Sequence, residues 1–402
     1  MRMLRHLLLS VLIVVLASCG AAGGGGGISA GSGAGSSGGS GGESSGGSGT
    51  GSSSPLVGYS YSVGVPSPRD VTAVAIHADG SGGTSTTLSG VTGAFPEMPA
   101  LATVGGADYL YVPSAVSDNL TVFQATGSTL GPVGGTVSLS YSPQGEAIAV
   151  MSGPYLVLGD NLGNIHVYPV LADGSLGTET TYATVSSTYA ITGIAASKDN
   201  RYLMVEGRGT GSNTNVEFSE FRIGSGGGLT LVGSTTLADT YFNYSTLVAD
   251  PSTTNGDIFY SGGTNGFYRV SASTSGPSAT VLFTPTDGGG EWDFIGWIDP
   301  TGTWIYVDAW DSHTSTYTFD QFSIGTTGQT TYVGTEPNCN PSNNAADFEG
   351  TYNASAGVVL FSTADTPVCT FSSASGDLSK PTPPAGSSGV PQIGSLGIMI
   401  AP

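Results

Sequence analysis

The sequence predicts an all-β fold: a single β-propeller of seven four-stranded blades, closed by a C-terminal strand and preceded by a disordered linker. Three observations predict it. The composition suits strands and turns, with 65 Gly and 18 Tyr in 402 residues against only 9 Lys+Arg and 6 Met, so helix formers are scarce. No stretch after residue 55 sustains the i, i+3, i+4, i+7 spacing of an amphipathic helix. A unit of alternating strands and Gly-rich turns recurs roughly every 40–55 residues, the period of a four-stranded blade with variable loops.

The chain begins with Arg2 and Arg5, an apolar run over residues 7–16 broken by Ser10, and Leu16-Ala17-Ser18-Cys19. A charged start, a short apolar stretch and small residues before a cut mark a secretory signal over residues 1–18. The apolar run is roughly half the ~20 residues that a stable spanning helix needs. Leu-Ala-Ser-Cys resembles the bacterial lipobox. The resemblance implies lipid transfer to the Cys19 sulfur, cleavage before it and acylation of the new amine. Two or three acyl chains at about 0.8 kcal/mol per buried CH₂ hold a protein to a membrane, where one chain is marginal. Gly20 in the next position resembles the pattern sorted to the outer membrane in Gram-negative bacteria. The chain is therefore expected to be exported and lipid-anchored.

Residues 19–54 follow as the lipidated cysteine and a Gly/Ser linker, with Ile28 the one large apolar residue and Glu43 the one charge. Such a segment cannot bury enough surface to offset its ordering entropy. As flexible coil it reaches roughly 30–35 Å.

Residues 55–402 form the propeller domain. Its clearest repeat is Phe294-Ile-Gly-Trp-Ile-Asp-Pro-Thr-Gly-Thr-Trp-Ile-Tyr-Val307, a strand, an Asp-Pro-x-Gly turn and a second strand. A third strand over 316–324, the turn 325–328 and a short outer strand ending near Val333 complete it. The same order is legible at 194–223, 138–175, 247–270, 110–130 and 348–361. A further blade is suggested by 56–65 and 71–77 with the turn 79–83. The Asp-Pro and Asp-Gly turns supply tight reversals. One such sheet cannot bury both faces alone, so blades pack around an axis. The strand at 393–400 has no blade of its own, and it is expected to supply the innermost strand of the first blade and remove a free edge.

Units such as Tyr109-Leu-Tyr-Val, Asp299-Pro-Thr-Gly-Thr-Trp-Ile-Tyr-Val and Asn164-Ile-His-Val-Tyr resemble the lactonase-type, YVTN-repeat seven-bladed propellers, a likeness covering residues 56–400. It implies a lactonase-like hydrolase of the 6-phosphogluconolactonase type, acting on a sugar lactone. Members with that activity carry a Pro-His segment at the channel mouth. The corresponding stretch, residues 134–143, contains no histidine.

The charge balance restricts partners. Formal net charge is −20, more negative still once Arg2 and Arg5 leave with the signal. Nucleic acid is excluded as a partner because no basic stripe exists to bind phosphates. With Cys19 lipidated, Cys339 and Cys369 remain as a pair in an oxidising compartment, and one disulfide is expected.

Candidate site residues come from aligning blades. Asp293-Phe-Ile-Gly296 matches Asp347-Phe-Glu-Gly350, both at the start of an innermost strand, with Ala190 and Tyr244 at the equivalent places in other copies. Asp293 and Asp347, with Glu291 and Glu349 nearby, would flank one end of the channel. Such carboxylates suit a hard cation such as Ca²⁺ or acid–base chemistry; capping of backbone N–H groups is the alternative. All four tryptophans lie in one blade. Trp297 and Trp304 fit a core, whereas Trp292 and Trp310 lie at strand ends, where aromatics stack on sugars or pack. His166 reads as a solvated or cross-strand residue, His77 likewise, and His313 as a loop residue. Among the few cations, Arg208, beside Glu206, and Arg269 are candidates to face a cavity. Beyond the lipid anchor, a monomeric, non-catalytic binding module for a glycan, peptide or envelope protein is the first expectation, the hydrolase the alternative, and an envelope-assembly scaffold a third.

Overall fold

A computed structural model describes residues 54–63, 70–93, 97–184, 189–209, 215–238, 247–252, 256–263, 266–283, 290–311, 316–339, 350–361, 368–381 and 396–400. The described residues form seven sheets, each an antiparallel meander. The first blade runs, from inside outwards, Leu396–Ile400, Leu56–Val63, Val71–His77, Gly82–Leu88. The second is Ala100–Val104, Ala107–Ser114, Asn119–Thr126 and Thr129–Pro132, with Val137–Ser138 added beside its third strand. The third is Pro143–Met151, Tyr155–Asp160, Asn164–Pro169 and Thr180–Ala183. The fourth is Tyr189–Ala196, Tyr202–Gly209, Asn215–Ile223 and Leu229–Ala238. The fifth is Leu247–Ala249, Ile258–Gly263, Gly266–Ser271 and Ser278–Phe283. The sixth is Gly290–Ile298, Trp304–Asp311, Thr316–Ile324 and Thr330–Thr335, and the seventh Gly350–Asn353, Val358–Phe361, Val368–Phe371 and Leu378–Ser379.

The C-terminal strand closes the ring as the sequence led us to expect. Tyr59 to Val63 pair antiparallel with Ile400 to Leu396, so the last strand of the chain lies beside the first. The seam between the seventh and first blades is also tied by Asn353, whose amide donates to the Val57 carbonyl over 2.7 Å.

Among the described residues the apolar core divides into seven clusters, one per seam. Leu110, Val112 and Phe123 of the second blade meet Tyr61, Val63 and Val71 of the first. Phe259, Tyr268 and Val270 of the fifth meet Met204, Val216 and Phe218 of the fourth, and Val358 and Leu360 meet Val74 and Ile76 across the closing seam. A strand alternating large residues on both faces therefore reads as continuously apolar, because each face meets a neighbouring blade.

In the fifth, sixth and seventh blades the turn between first and second strands is built on a buried side chain. Asp299 is fully buried, and its carboxylate accepts the backbone N–H groups of Thr301 at 3.0 Å, Thr303 at 2.6 Å and Trp304 at 2.6 Å. Asp250 does the same for Ser252 at 2.8 Å, and Asn353 for Ser355 at 3.0 Å. These are Asx turns, in which a short carboxylate or amide satisfies amide groups that the reversal leaves unpaired.

Candidate functional site

Antiparallel order fixes which connections share a face of the ring. Links from second to third strands, and from each outer strand to the next blade, leave by one face; the Asx turns and third-to-fourth turns leave by the other. Buried carboxylates stand toward both faces: Asp250, Asp299 and Glu220 toward the Asx-turn face, others toward the opposite one. Asp160 ends the second strand of the third blade, Glu206 and Arg208 lie near the end of that strand in the fourth, and Asp308 in the sixth, all of them buried.

The sixth blade brings several predicted residues together at this face. In backbone register Glu291 lies opposite Trp310, Gly290 opposite Asp311 and Trp292 opposite Ala309. Phe294 then pairs with Asp308, so Asp293 is the extra residue of a β-bulge. Bulges recur where a strand must re-aim a side chain. The fourth blade has the same bulge: Ile191 pairs with Gly207 and Gly193 with Glu206, leaving Thr192 out. With Glu206 aligned on Asp308, the counterpart of Asp293 is Thr192. The expected alignment with Ala190 is two residues off: the sixth blade has a second bulge, between Ile295 and Trp297, that the fourth lacks, and bulges leave no mark on a strand pattern. Tyr244, Asp347, Glu349 and His313 lie outside the described residues, as does Cys19. Among the described residues no three of His, Cys, Asp and Glu gather as a metal site; Asp347 and Glu349, two of the four carboxylates expected to hold Ca²⁺, lie outside those residues.

In the seam between the fourth and fifth blades, Arg208 Nη2 lies 2.8 Å from Glu206 Oε1 and donates to the Gly262 carbonyl at 3.0 Å. Glu206 also accepts the Ser261 hydroxyl at 2.5 Å. Glu206 is fully buried and the Arg208 side chain is 8 % exposed. Arg269 is half-buried and donates to the Ser271 hydroxyl at 3.0 Å.

The seam between the second and third blades holds a chain of polar groups that the sequence did not disclose. His166 is 4 % exposed, not solvated. Its Nε2 lies 3.2 Å from Asp160 Oδ2 and its Nδ1 2.7 Å from Glu179 Oε1. The ring stacks on Tyr141, centroids 3.4 Å apart and planes within 7°. The Tyr168 hydroxyl donates to Glu179 Oε2 at 2.7 Å and lies 2.9 Å from the Tyr141 hydroxyl. Burial alone would raise the Asp160 carboxyl, but hydrogen bonds from His166, Asn164 and the Leu162 amide more than offset it and hold it low. Glu179 is likewise held low against its burial by His166, Tyr168 and Thr181. Asp160 fixes this corner by accepting the Leu162 and Asn164 amides at 2.8 and 2.7 Å. The signal in the sequence was Asp160 four residues before Asn164 at a strand end; Tyr141 and Glu179 are too distant along the chain to be paired with His166 by pattern.

Other predicted residues have structural places. Cys339 and Cys369 form a disulfide, both fully buried in the seam between the sixth and seventh blades. Trp297 is core there, stacked on Tyr306 and edge-on to Phe371. Trp304 is partly buried in the same cluster and its indole N–H donates to Ser373 at 3.3 Å. His77 Nδ1 lies 2.9 Å from the Ser54 carbonyl, beside the Ala78 amide, which donates to Pro55. The chain thus enters the ring on the Asx-turn face.

No protein-family model matches the chain, and no curated protein matches it in sequence. Solved structures do. A protein from Lactobacillus plantarum is similar at TM-score 0.61 and 16 % identity, over 86 % of this chain and 100 % of its own. A "putative 6-phosphogluconolactonase" from Bacteroides uniformis gives 0.59 and 16 %, over 86 % and 99 %. A second, from Bacteroides fragilis, gives 0.58 and 15 %, over 87 % and 99 %. At such identities the likeness establishes the seven-bladed fold and leaves chemistry to the residues themselves.

Proposed function

We propose that the chain is an exported, lipid-anchored propeller of the cell envelope that binds a ligand (a glycan, peptide or envelope protein) and does not turn one over. The observation that carries this reading is the Glu206–Arg208 pair. Arg208 was a leading candidate to meet an anionic sugar lactone, and it is held at 2.8 Å by a fully buried carboxylate. Removing one partner of a buried pair strands the other charge at a cost of about 3–5 kcal/mol, so this guanidinium is part of the scaffold. His166 is committed in the same way to Asp160 and Glu179.

The end of the sixth blade supports a binding role. Glu291 opposite Trp310, Asp293 on its bulge and Asp311 beside them bring carboxylates and indoles to one place in the backbone. Carboxylates accept hydrogen bonds from sugar hydroxyls or peptide amides, and indole faces stack on apolar surfaces of either. Ser54, at the start of the described residues, lies on the other face, where its carbonyl meets His77.

The alternative, a lactonase-like hydrolase acting on a sugar lactone, is favoured by the fold shared with the two Bacteroides proteins. One experiment separates the two. The mature chain is assayed against neutral and phosphorylated sugar lactones while glycans and peptides are titrated calorimetrically. Saturable binding without turnover is expected; turnover that Asp293→Asn or Glu291→Gln abolishes would replace the binding reading with the hydrolase.

A further inference from the structure

Three buried polar side chains in the seam between the first and second blades take no part in the proposed function. Ser114 Oγ, Asn119 Oδ1 and Thr121 Oγ1 are shielded from solvent, and none has a hydrogen-bond partner among the described residues. Ser114 is fully buried and Thr121 is 7 % exposed. In the ladder Ser114 lies opposite Asn119, and Val112 opposite Thr121. Alternate residues of a strand share a face, so all three stand on the face that Val112 and Phe123 turn to the first blade. Polar groups so far from solvent are almost always paired, and three orphaned oxygens in one corner call for a shared partner.

The third blade shows what such a partner does. Tyr109 and Tyr155 hold the same place in their strands, each packed on a positive-φ glycine of the next blade's turn, Gly174 and Gly227. Five residues on from each, Ser114 therefore matches Asp160. Leu158 pairs with His166 as Val112 pairs with Thr121, so His166 matches Thr121 and Asn164 matches Asn119. In the third blade one carboxylate oxygen joins the set: Asp160 Oδ2 accepts the Asn164 amide at 2.8 Å and lies 3.2 Å from His166 Nε2. The serine side chain is one bond shorter, and its hydroxyl meets neither Asn119 nor Thr121.

We propose that one internal water molecule stands in the second blade where Asp160 Oδ2 stands in the third, bridging Ser114, Asn119 and Thr121. The groups suit it: Asn119 Oδ1 only accepts, the two hydroxyls donate or accept, and a buried water makes about three hydrogen bonds. None of the three is a carboxylate, whereas a divalent cation takes six or more oxygens with charge among them. The fourth blade needs no such water. Its Ser219 and Glu217, at the places of Thr121 and Asn119, bond to each other at 2.9 Å. Gly93, on the link from the first blade, covers the corner: a Cβ there would lie 2.5 Å from Asn119 Oδ1 and 2.7 Å from Ser114 Cβ. The water is thus enclosed between the two blades, and it holds whether or not the ring binds a ligand.

The test is a crystal structure of the wild-type chain in which ordered waters are resolved, beside two variants. Wild type is expected to show one density peak about 2.7–3.1 Å from Ser114 Oγ, Asn119 Oδ1 and Thr121 Oγ1. Ser114→Asp, which carries its own oxygen to that place, is expected to lose the peak. Thr121→Val keeps the shape and removes one hydroxyl. It is expected to raise the unfolding equilibrium constant about 10-fold in urea denaturation, because the water and its other two partners each lose a bond. Removing a hydroxyl that nothing bridges would instead leave the protein as stable or more so. A wild-type structure without the peak overturns the proposal, and the peak is read whether or not either variant folds. So does a peak at the metal-like distance of about 2.4 Å, one that survives Ser114→Asp, or a Thr121→Val chain no less stable than wild type.

Discussion

The hydroxyl of Tyr111 donates to the carbonyl of Gly174 over 2.9 Å, from the second strand of the second blade to the third-to-fourth turn of the next. The same link recurs as Tyr61 to Gly127 at 2.7 Å, Tyr260 to Gly328 at 3.2 Å and Tyr306 to Gly376. Each glycine has positive φ, and the residue two before the tyrosine packs on it: a Cβ at Gly174 would lie 2.1 Å from Tyr109, and one at Gly328 2.4 Å from Ile258. A tyrosine in a second strand thus fastens its blade to a turn that only glycine fits.

Tyr111→Phe removes that donor and leaves the Gly174 carbonyl buried without it. A loss of about 1–2 kcal/mol is expected, read from urea denaturation. Gly174→Ala is expected to cost more, since it adds a clash with Tyr109 to a backbone conformation that L residues avoid.

These links show which parts of the molecule a sequence discloses. The strands of the sixth blade and the closing role of residues 396–400 were legible because local alternation and turn chemistry specify them. Tyr109-Leu-Tyr111 was visible as a repeat signature, but its partner Gly174 lies 63 residues on, and no pattern within one unit points to it. The bulge at Asp293 was hidden for the opposite reason: it is local, but one extra residue leaves no mark on composition. His166 read as a solvated or cross-strand residue because an isolated strand offers it a polar face, and the cross-strand place, opposite Thr181, is the one it takes. In the ring that face meets Tyr141, supplied by the link from another blade.

Glu220 offers a test with a defined pH sense. It is fully buried on the third strand of the fourth blade and accepts the Ser273 amide at 3.0 Å, while its Oε1 has no hydrogen-bond partner among the described residues. The corresponding position in the sixth blade is Gln321, whose amide donates to Ser375 at 3.1 Å. Burial raises the Glu220 carboxyl. Its contribution is therefore most favourable below the ordinary glutamate value and is lost as pH rises through the raised folded value. Glu220→Gln is expected to stabilise the protein by about 1 kcal/mol at neutral pH, with the gain shrinking in acid. Denaturation at two pH values measures it.

The disulfide secures the blade with the shortest strands. The seventh blade has strands of 4, 4, 4 and 2 residues, where the fourth has 8, 8, 9 and 10. Cys339 ties the link entering that blade to Cys369 in its third strand, across 30 residues. Replacing both cysteines by Ala is expected to cost about 3–4 kcal/mol by loop entropy. The loss should appear first as faster amide exchange at 358–361 and 368–371. Uniform acceleration around the ring would show instead that the blades unfold as one unit.

The four tryptophans should separate into two pairs by consequence. Trp297 is 5 % exposed and packed among Tyr306, Tyr352 and Phe371; Trp297→Ala is expected to destabilise by about 3–5 kcal/mol with no specific effect on ligand. Trp304 holds the neighbouring turn through Ser373 and should behave the same way to a smaller degree. Trp292 and Trp310 lie at the end of the blade away from its Asx turn, in backbone register with Ala309 and Glu291. Their replacement by Ala is expected to leave the melting temperature within a few degrees and to weaken glycan or peptide binding, since stacked aromatics carry a large share of such affinity. Calorimetric titration of each variant beside its thermal melt decides the matter. If Trp292→Ala and Trp310→Ala melt early and bind normally, the indoles at that end belong to the packing, and the ligand must be sought on another blade.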